Sequence, residues 1–271
     1  MSNRITTIVA ALSLLTAATA GAQSVRVYLK GGQVIGYPLA ELDSLVAYAM
    51  CNNAPAGVVA VDLGLPSGTK WANVNVGATT PEACGDYFQW GETVPCTDTT
   101  ELLGWNTNYA PGGKAFSGTK YTDCGTGKDP MCTSGILVKD STGNWVCDIA
   151  GNPQFDAATA VWGNAWQMPT PEQQAELLNA DNCTWKVTTR GGITGLEVTS
   201  RANGNSIFLP AGGGRQNSEV AGLGDYGYYW ASTIGADNAS KAYFFYFDPN
   251  GKITLHYFYR RCGFLVRAVA R

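Results

Sequence analysis

Short apolar and aromatic runs dominate the last fifty residues of the chain, and Gly, Asp, Asn and Pro separate them. Runs of this kind are typical of paired β-strands joined by turns. The pattern predicts strands at residues 228–233, 241–247, 252–260 and 264–269. The sequence Asp248-Pro249-Asn250-Gly251 predicts a turn between the second and third strands, because glycine tolerates the backbone conformations of tight turns.

Alternation along the third of these strands divides its side chains between two faces. One face carries Ile253, Leu255, Tyr257 and Tyr259, and the other carries Thr254, His256, Phe258 and Arg260. One face must contribute to the core. The other then presents amphipathic rings and hydrogen-bond donors, which are enriched at recognition surfaces. Burial of both faces between two layers stays open as the alternative.

The beginning of the chain follows a different pattern. Arg4, a short apolar run and small residues up to Ala22 predict a secretory signal peptide over residues 1–22. Residues 23–50 predict a small β-rich module, with strands at 25–29, 34–37 and 45–48 that are too few to bury a core of their own. Residues 51–57 are a linker by composition, and residues 58–271 form the main domain.

Within the main domain the pattern mixes strands with two short helices, which predicts an α+β fold. A helix at 156–162 begins at the N-cap Asp156, and a helix at 170–180 begins with Thr170, Pro171 and Gln173 in a capping-box arrangement. Strands are predicted at 58–63, 70–76, 183–189, 193–199 and 206–209. Residues 93–154 are predicted to be a long loop, and residues 210–217 and 219–227 to be shorter ones.

Composition narrows the classes of function. The 271 residues carry a formal net charge of −3. Loss of the signal peptide would remove Arg4 and so make the net charge more negative by one. This acidic balance and the absence of a Lys/Arg cluster argue against a nucleic-acid partner. No later segment is apolar enough over a sufficient length to span a membrane. These features predict a secreted or cell-surface protein.

Eight cysteines lie beyond the predicted signal peptide, and export permits disulfides. Their pairing stays open, although one bridge within Cys124, Cys132 and Cys147 is favoured because they lie close together in a loop. A zinc site has little support, since there is no C-x-x-C and His256 is the single histidine. No catalytic residue is assigned: the glycine-rich sequence at 222–227 lacks the strand–helix context of a dinucleotide site, and no carboxylate pair stands out.

Five separated sequence motifs occur in the same order as motifs of one known protein family. They are VDLGLPSGTKWANVNVGATTPEACGDYFQWGET, WGNAWQMPT, NGNSIFLPAGGGR, YYWAST and RRCGFLVRAV. The chain from residue 59 to residue 269 resembles the Fibrobacter succinogenes major paralogous domain of secreted bacterial proteins. That resemblance implies a C-type-lectin-like fold of the formylglycine-generating-enzyme superfamily, with twisted sheets, two short helices and long loops. Related folds carry calcium, so the resemblance leaves calcium open as a cofactor without naming ligands.

The C-terminal part also resembles the variable proteins of diversity-generating retroelements, which concentrate sequence variation near the C-terminus of a C-type-lectin fold. We therefore expect a non-enzymatic protein that binds a protein or glycan ligand at a cell surface, in an oligomeric state that stays open. The predicted ligand-binding residues are Tyr228, Tyr243, Tyr246, His256, Tyr257, Tyr259 and Arg261. Two alternatives stay open. One is an enzyme of the formylglycine-generating type or a hydrolase, although Cys262 lacks the neighbouring cysteine of the oxidases. The other is a structural subunit of a surface appendage.

Overall fold

The computed structural model describes residues 54–96, 145–216, 219–235 and 241–271, together with the backbone of strands at 24–28, 34–38 and 137–139. The chain divides into two compact units, Met1–Asn52 and Asn53–Arg271. The described strands are β1 Ser24–Tyr28, β2 Val34–Pro38, β3 Ala60–Asp62, β4 Lys70–Ala72, β5 Phe88–Gln89, β6 Leu137–Lys139, β7 Trp145–Cys147, β8 Trp166–Gln167, β9 Cys183–Arg190, β10 Ile193–Ser200, β11 Ser206–Pro210, β12 Gly214–Gln216, β13 Glu219–Ala221, β14 Gly227–Ile234, β15 Lys241–Phe247, β16 Ile253–Tyr259, β17 Gly263–Phe264 and β18 Val269–Ala270. The described helices are α1 Ala157–Trp162 and α2 Pro171–Leu177.

In the first unit, β1 and β2 form an antiparallel pair that runs from Ser24 opposite Pro38 to Tyr28 opposite Val34. This pair corresponds to the first two strands predicted for the small N-terminal module. The predicted signal peptide at 1–22 and the predicted strand at 45–48 lie outside the described residues.

The second unit is built mainly from antiparallel sheets, with α1 and α2 as the helices of its described part, and is therefore broadly α+β. Its strands pair in the orders β11-β10-β9, β13-β12-β17-β5, β14-β15-β16, β3-β4-β18-β8 and β6-β7. Every pairing between these strands is antiparallel. Neither helix of the described part has the length and apolarity that a membrane crossing requires.

The sheet β14-β15-β16 carries most of the predicted binding residues. The turn between β15 and β16 is closed by the Gly251 N–H, which donates to the Asp248 carbonyl at 3.0 Å, and by the Asp248 N–H, which donates to the Lys252 carbonyl at 3.0 Å. The Asp248 side chain accepts two further backbone N–H groups inside the turn. These bonds fix the register, which places Phe247 opposite Ile253 and Lys241 opposite Tyr259.

Both faces of this sheet pack against core. Trp230 and Phe244 belong to one buried cluster, while Tyr229, Phe245 and Phe247 belong to a second cluster on the other side. Residues directly opposite each other on paired strands share a face, so alternation along β14 and β15 sends their rings to the two clusters in turn. The alternative of two buried faces thus describes β14 and most of β15, whereas β16 is half-buried along most of its length.

The helices begin where their capping sequences indicate. At α1 the Asp156 carboxylate accepts the Thr159 N–H at 3.1 Å. At α2 the Thr170 hydroxyl accepts the Gln173 N–H at 3.2 Å, and the Gln173 side chain accepts the Thr170 N–H at 2.9 Å. The second helix ends at Leu177, three residues before the predicted end at residue 180.

The predicted strand at 264–269 is wrong as a single element. The structure has two short strands there, β17 and β18, which belong to different sheets. Between them Arg267 turns into the interior, where its guanidinium donates to the Asn75 side chain and to the carbonyls of Ala72 and Phe208. A charged group buried this deeply needs several partners, and here they lie on segments distant in sequence.

Three predicted loops contain short strands: β6 and β7 lie in residues 93–154, β12 in residues 210–217 and β13 in residues 219–227. The cysteines of the described part, Cys84, Cys96, Cys147, Cys183 and Cys262, carry free thiols. Cys124 and Cys132, which were predicted to share a bridge with Cys147 or with each other, lie outside the described residues.

Candidate functional site

Three half-buried tyrosines stand together on one face of the sheet β14-β15-β16. Tyr228 lies directly opposite Tyr246, with ring centroids 5.4 Å apart. Tyr226, from the loop before β14, lies 6.0 Å from the Tyr246 ring and 6.1 Å from the Tyr228 ring. The planes of the three rings differ by only 20–39°. We call Tyr226, Tyr228 and Tyr246 the tyrosine cluster.

A buried aromatic layer supports the tyrosine cluster. The Tyr228 ring stacks on Phe264 at 4.9 Å with an interplanar angle of 17°, and it also contacts Phe244 at 6.0 Å. Phe264 in turn packs 4.4 Å from Trp230, which is fully buried. Because aromatic pairs at these separations contribute about 0.5–1.5 kcal/mol beyond burial, the layer limits movement of the ring above it.

The loop that carries Tyr226 is fixed by its own backbone. The Tyr226 N–H donates to the Gly222 carbonyl at 2.9 Å, and the Tyr226 carbonyl accepts the Gly213 N–H at 2.7 Å. The Tyr226 ring packs over Gly222: a β-carbon added there would lie 2.4 Å from the ring atom Cδ2. Gly222 also has φ +71°, a conformation that favours glycine. The glycine therefore provides both the turn and the space that the ring occupies.

Side chains from elsewhere in the fold hold β14 in place. The Gln174 amide donates to the carbonyls of Tyr229 and Trp230 at 3.1 and 3.2 Å. The Trp230 indole N–H donates to the Phe88 carbonyl at 2.8 Å, and the Ser232 N–H donates to the Pro169 carbonyl at 2.8 Å. Of these, the bonds at the Trp230 carbonyl and the Ser232 N–H satisfy backbone groups where the register with β15 shifts between Trp230 and Ile234. The strand under the cluster is thus anchored on α2 and its neighbours.

The hydroxyl groups of the tyrosine cluster influence one another. Burial, followed by the neighbouring Tyr246 and Tyr226, raises the pKa of Tyr228 to about 12. The pKa of Tyr246 is also raised, first by burial and then by the nearby Asp248 carboxylate and Tyr226. Both phenols are consequently neutral at physiological pH and are available as hydrogen-bond donors and acceptors.

A second group of aromatic residues lies on the opposite face of the same sheet. Tyr243 lies opposite Tyr257, and their rings meet edge-to-face at 6.0 Å. The Lys241 ammonium lies 5.1 Å from the Tyr257 ring centroid and 5.2 Å from that of Tyr259, within the range of cation–π attraction. We call Lys241, Tyr243, Tyr257 and Tyr259 the lysine–tyrosine patch. The Arg261 guanidinium lies 5.4 Å from the Tyr259 ring, but Arg261 itself is only 5% exposed.

His256 is the exposed residue of β16 and shares the face of the tyrosine cluster. Its ring stacks 6.2 Å from Phe244, and its Nδ1 atom accepts the N–H of Tyr257 at 2.7 Å. This bond requires the imidazole to carry no proton on Nδ1. The histidine therefore caps a backbone donor of β16 while its ring lies beside the cluster.

The structure divides the seven predicted residues between two faces. Tyr228, Tyr246 and His256 lie on one face, and Tyr243, Tyr257 and Tyr259 lie on the other, with the buried Arg261 beyond the end of β16. Sequence reasoning missed Tyr226 and Lys241. The signal for Tyr226 was its position two residues before Tyr228, and the signal for Lys241 was its place two residues before Tyr243 on an alternating strand.

No group of three or more His, Cys, Asp or Glu side chains in the part of the chain that the structure describes is placed to hold a metal ion. The described fold is thus a β-rich α+β domain that displays aromatic side chains on both faces of one sheet. The chain matches no protein-family model, no curated protein and no solved structure.

Proposed function

We propose that this protein is an exported binding protein, with a C-type-lectin-like main domain of the Fibrobacter succinogenes major paralogous type, that recognises a ligand through the sheet β14-β15-β16. The ligand is a protein or a glycan at a cell surface. On this proposal the signal peptide directs export, and the C-terminal strands are the region that a diversity-generating retroelement would vary.

One observation carries the proposal: half-buried tyrosines stand in register over rings that are almost completely buried. Tyr228 and Tyr246 are half-buried, whereas Phe244 beneath them is 6% exposed and Phe264 is 1% exposed. A tyrosine fixed in this way presents its ring edge and hydroxyl with little entropy left to lose on binding. This combination of a rigid support and an amphipathic outer layer is what recognition surfaces require.

The proposal is tested by screening the purified protein against arrays of glycans and of cell-surface proteins. Two double variants separate the faces: Tyr226→Ala with Tyr246→Ala removes two rings of the tyrosine cluster, and Tyr243→Ala with Tyr257→Ala removes two rings of the lysine–tyrosine patch. An aromatic residue central to an interface is typically worth at least about 2 kcal/mol, so the variant on the face that is used should bind about 30-fold more weakly if one of its two rings is central and about 1,000-fold more weakly if both are.

Val59→Ala is the matched control. Val59 is 54% exposed and lies outside the three-stranded sheet, so its truncation should change neither stability nor binding. Melting temperatures of all variants establish that they fold. The proposal is refuted if no arrayed molecule binds, or if a ligand is found whose affinity neither double variant changes.

A further inference from the structure

The orientation of the tyrosine cluster determines what it offers to a ligand. Tyr228 and Tyr246 are cross-strand neighbours, and Tyr226 stacks against Tyr246 with an interplanar angle of 20°. Rings that stand side by side above a sheet turn their faces toward each other and their outer edges away from it. A ligand that approaches this face therefore meets hydroxyl groups more than aromatic faces.

The surroundings of the cluster are polar as well. Thr254 lies opposite Tyr246 on the same face, and His256 follows two residues later. Asp248 follows Tyr246 by two residues at the turn, where its carboxylate accepts the N–H groups of Asn250 and Lys252. A neutral hydroxyl can both donate and accept hydrogen bonds, and a carboxylate accepts them. The tyrosine cluster and its polar surroundings are therefore complementary to ligand groups that both donate and accept hydrogen bonds.

We propose that the tyrosine cluster, together with Asp248 and Thr254, is a binding subsite for a neutral carbohydrate. This proposal rests on the proposed function and names its ligand class. Sugar hydroxyls donate and accept in the same way as the phenols that would contact them. An anionic ligand would place its charge beside Asp248 and would be repelled.

A protein partner fits the geometry of the cluster less well. Protein interfaces gain most of their affinity from large apolar or aromatic anchors that enter well-packed, fully desolvated pockets. In the tyrosine cluster much of the ring surface is already used within the protein, at centroid distances of 5.4–6.1 Å. The ring surface in these contacts is not available to a protein partner.

The experiment uses a printed array of neutral, sulfated and sialylated glycans, with the purified protein and three single variants. Tyr246→Phe removes one hydroxyl and keeps the ring, Tyr246→Ala removes both, and Val59→Ala is the control at an exposed residue outside the three-stranded sheet. We expect binding to neutral glycans. Tyr246→Phe should weaken it by about three- to tenfold, because one hydrogen bond is lost. Tyr246→Ala should weaken it further, and Val59→Ala should leave it unchanged.

The possible outcomes separate this inference from the proposed function. Binding restricted to sulfated or sialylated glycans, or an unchanged affinity for Tyr246→Phe, overturns the carbohydrate subsite. The carbohydrate subsite is also overturned if binding is lost only in the double variant Tyr243→Ala with Tyr257→Ala, or if the tyrosine cluster binds a protein ligand. In both of these cases the proposed function stands. Absence of binding on the glycan and the protein arrays refutes both proposals.

Discussion

Replacement of Arg267 by methionine tests how the second unit is held together. Arg267 is 1% exposed, and its guanidinium donates to the Asn75 side-chain oxygen at 2.7 Å, to the Ala72 carbonyl at 3.0 Å and to the Phe208 carbonyl at 2.7 Å. Methionine fills much of the same volume with no donor and no charge. The variant therefore removes three charge-assisted hydrogen bonds at once while it preserves packing.

Two opposing effects set the size of the change. Hydrogen bonds to a charged group contribute about 1.5–3 kcal/mol each, so the three together stabilise the fold by roughly 6 kcal/mol. Burial of the guanidinium opposes this: desolvation lowers the pKa of Arg267 to about 10, which shows that the charged form pays a cost in the interior. Methionine relieves that burial cost. We expect a net loss of about 3 kcal/mol in the free energy of unfolding, near the lower end for a broken buried charge network.

The assay is guanidinium chloride unfolding followed by tryptophan fluorescence, with Arg190→Met as the matched control. Arg190 forms an ion pair with Glu197 that is partly exposed to solvent, and exposed pairs contribute less than about 1 kcal/mol. An unchanged denaturant slope would show that both variants unfold from a native state of the same compactness. The reasoning is refuted if Arg267→Met costs less than about 1 kcal/mol or no more than Arg190→Met.

Two further predictions concern a buried acid and a crowded glycine. Burial raises the pKa of Asp156 to about 6 despite hydrogen bonds from the N–H groups of Gly151, Met168 and Thr159. Since a raised carboxyl pKa costs stability as pH rises from about 4 to 6, the advantage of the wild type over Asp156→Asn should shrink by about 2–3 kcal/mol between pH 4 and pH 7. Unfolding measured across that range checks this, and a constant difference would contradict it. A β-carbon on Gly227 would lie 1.9 Å from a ring atom of Phe247, so Gly227→Ala should cost about 1–3 kcal/mol. The cost should fall sharply in a Phe247→Leu background, and an equal cost in both backgrounds would show that the ring is not its cause.

The elements that the sequence predicted well are those whose signals are local. The strand β15 begins and ends at the predicted residues, because the turn at Asp248 and the alternation before it both lie in the same short stretch. Both N-caps are also correct, since each depends on residues within one turn of helix. Turn chemistry and capping need no knowledge of the rest of the fold.

The failures involve partners that are distant in sequence. The short strands β17 and β18 pair with β5 and β12 and with β4 and β8, and no window around residue 267 contains those partners. The short strands β12 and β13 likewise occur in a glycine-rich stretch, where pairing with each other and with β17 outweighs local preference. At the site, alternation sorted the residues of each strand into two sets, but only the fold could show that both sides of β14 and β15 would be covered by core.

The tyrosine cluster and the lysine–tyrosine patch lie on opposite faces of one sheet, and this affects how many ligands the domain could bind. A flat or convex partner can touch the tyrosine cluster or the lysine–tyrosine patch, but not both, because β15 and β16 lie between them. On the proposed function, a ligand bound at one of these groups would leave the other, on the opposite side of a sheet three strands wide, for a second ligand. The proposed function would then make the chain a bridge between two partners.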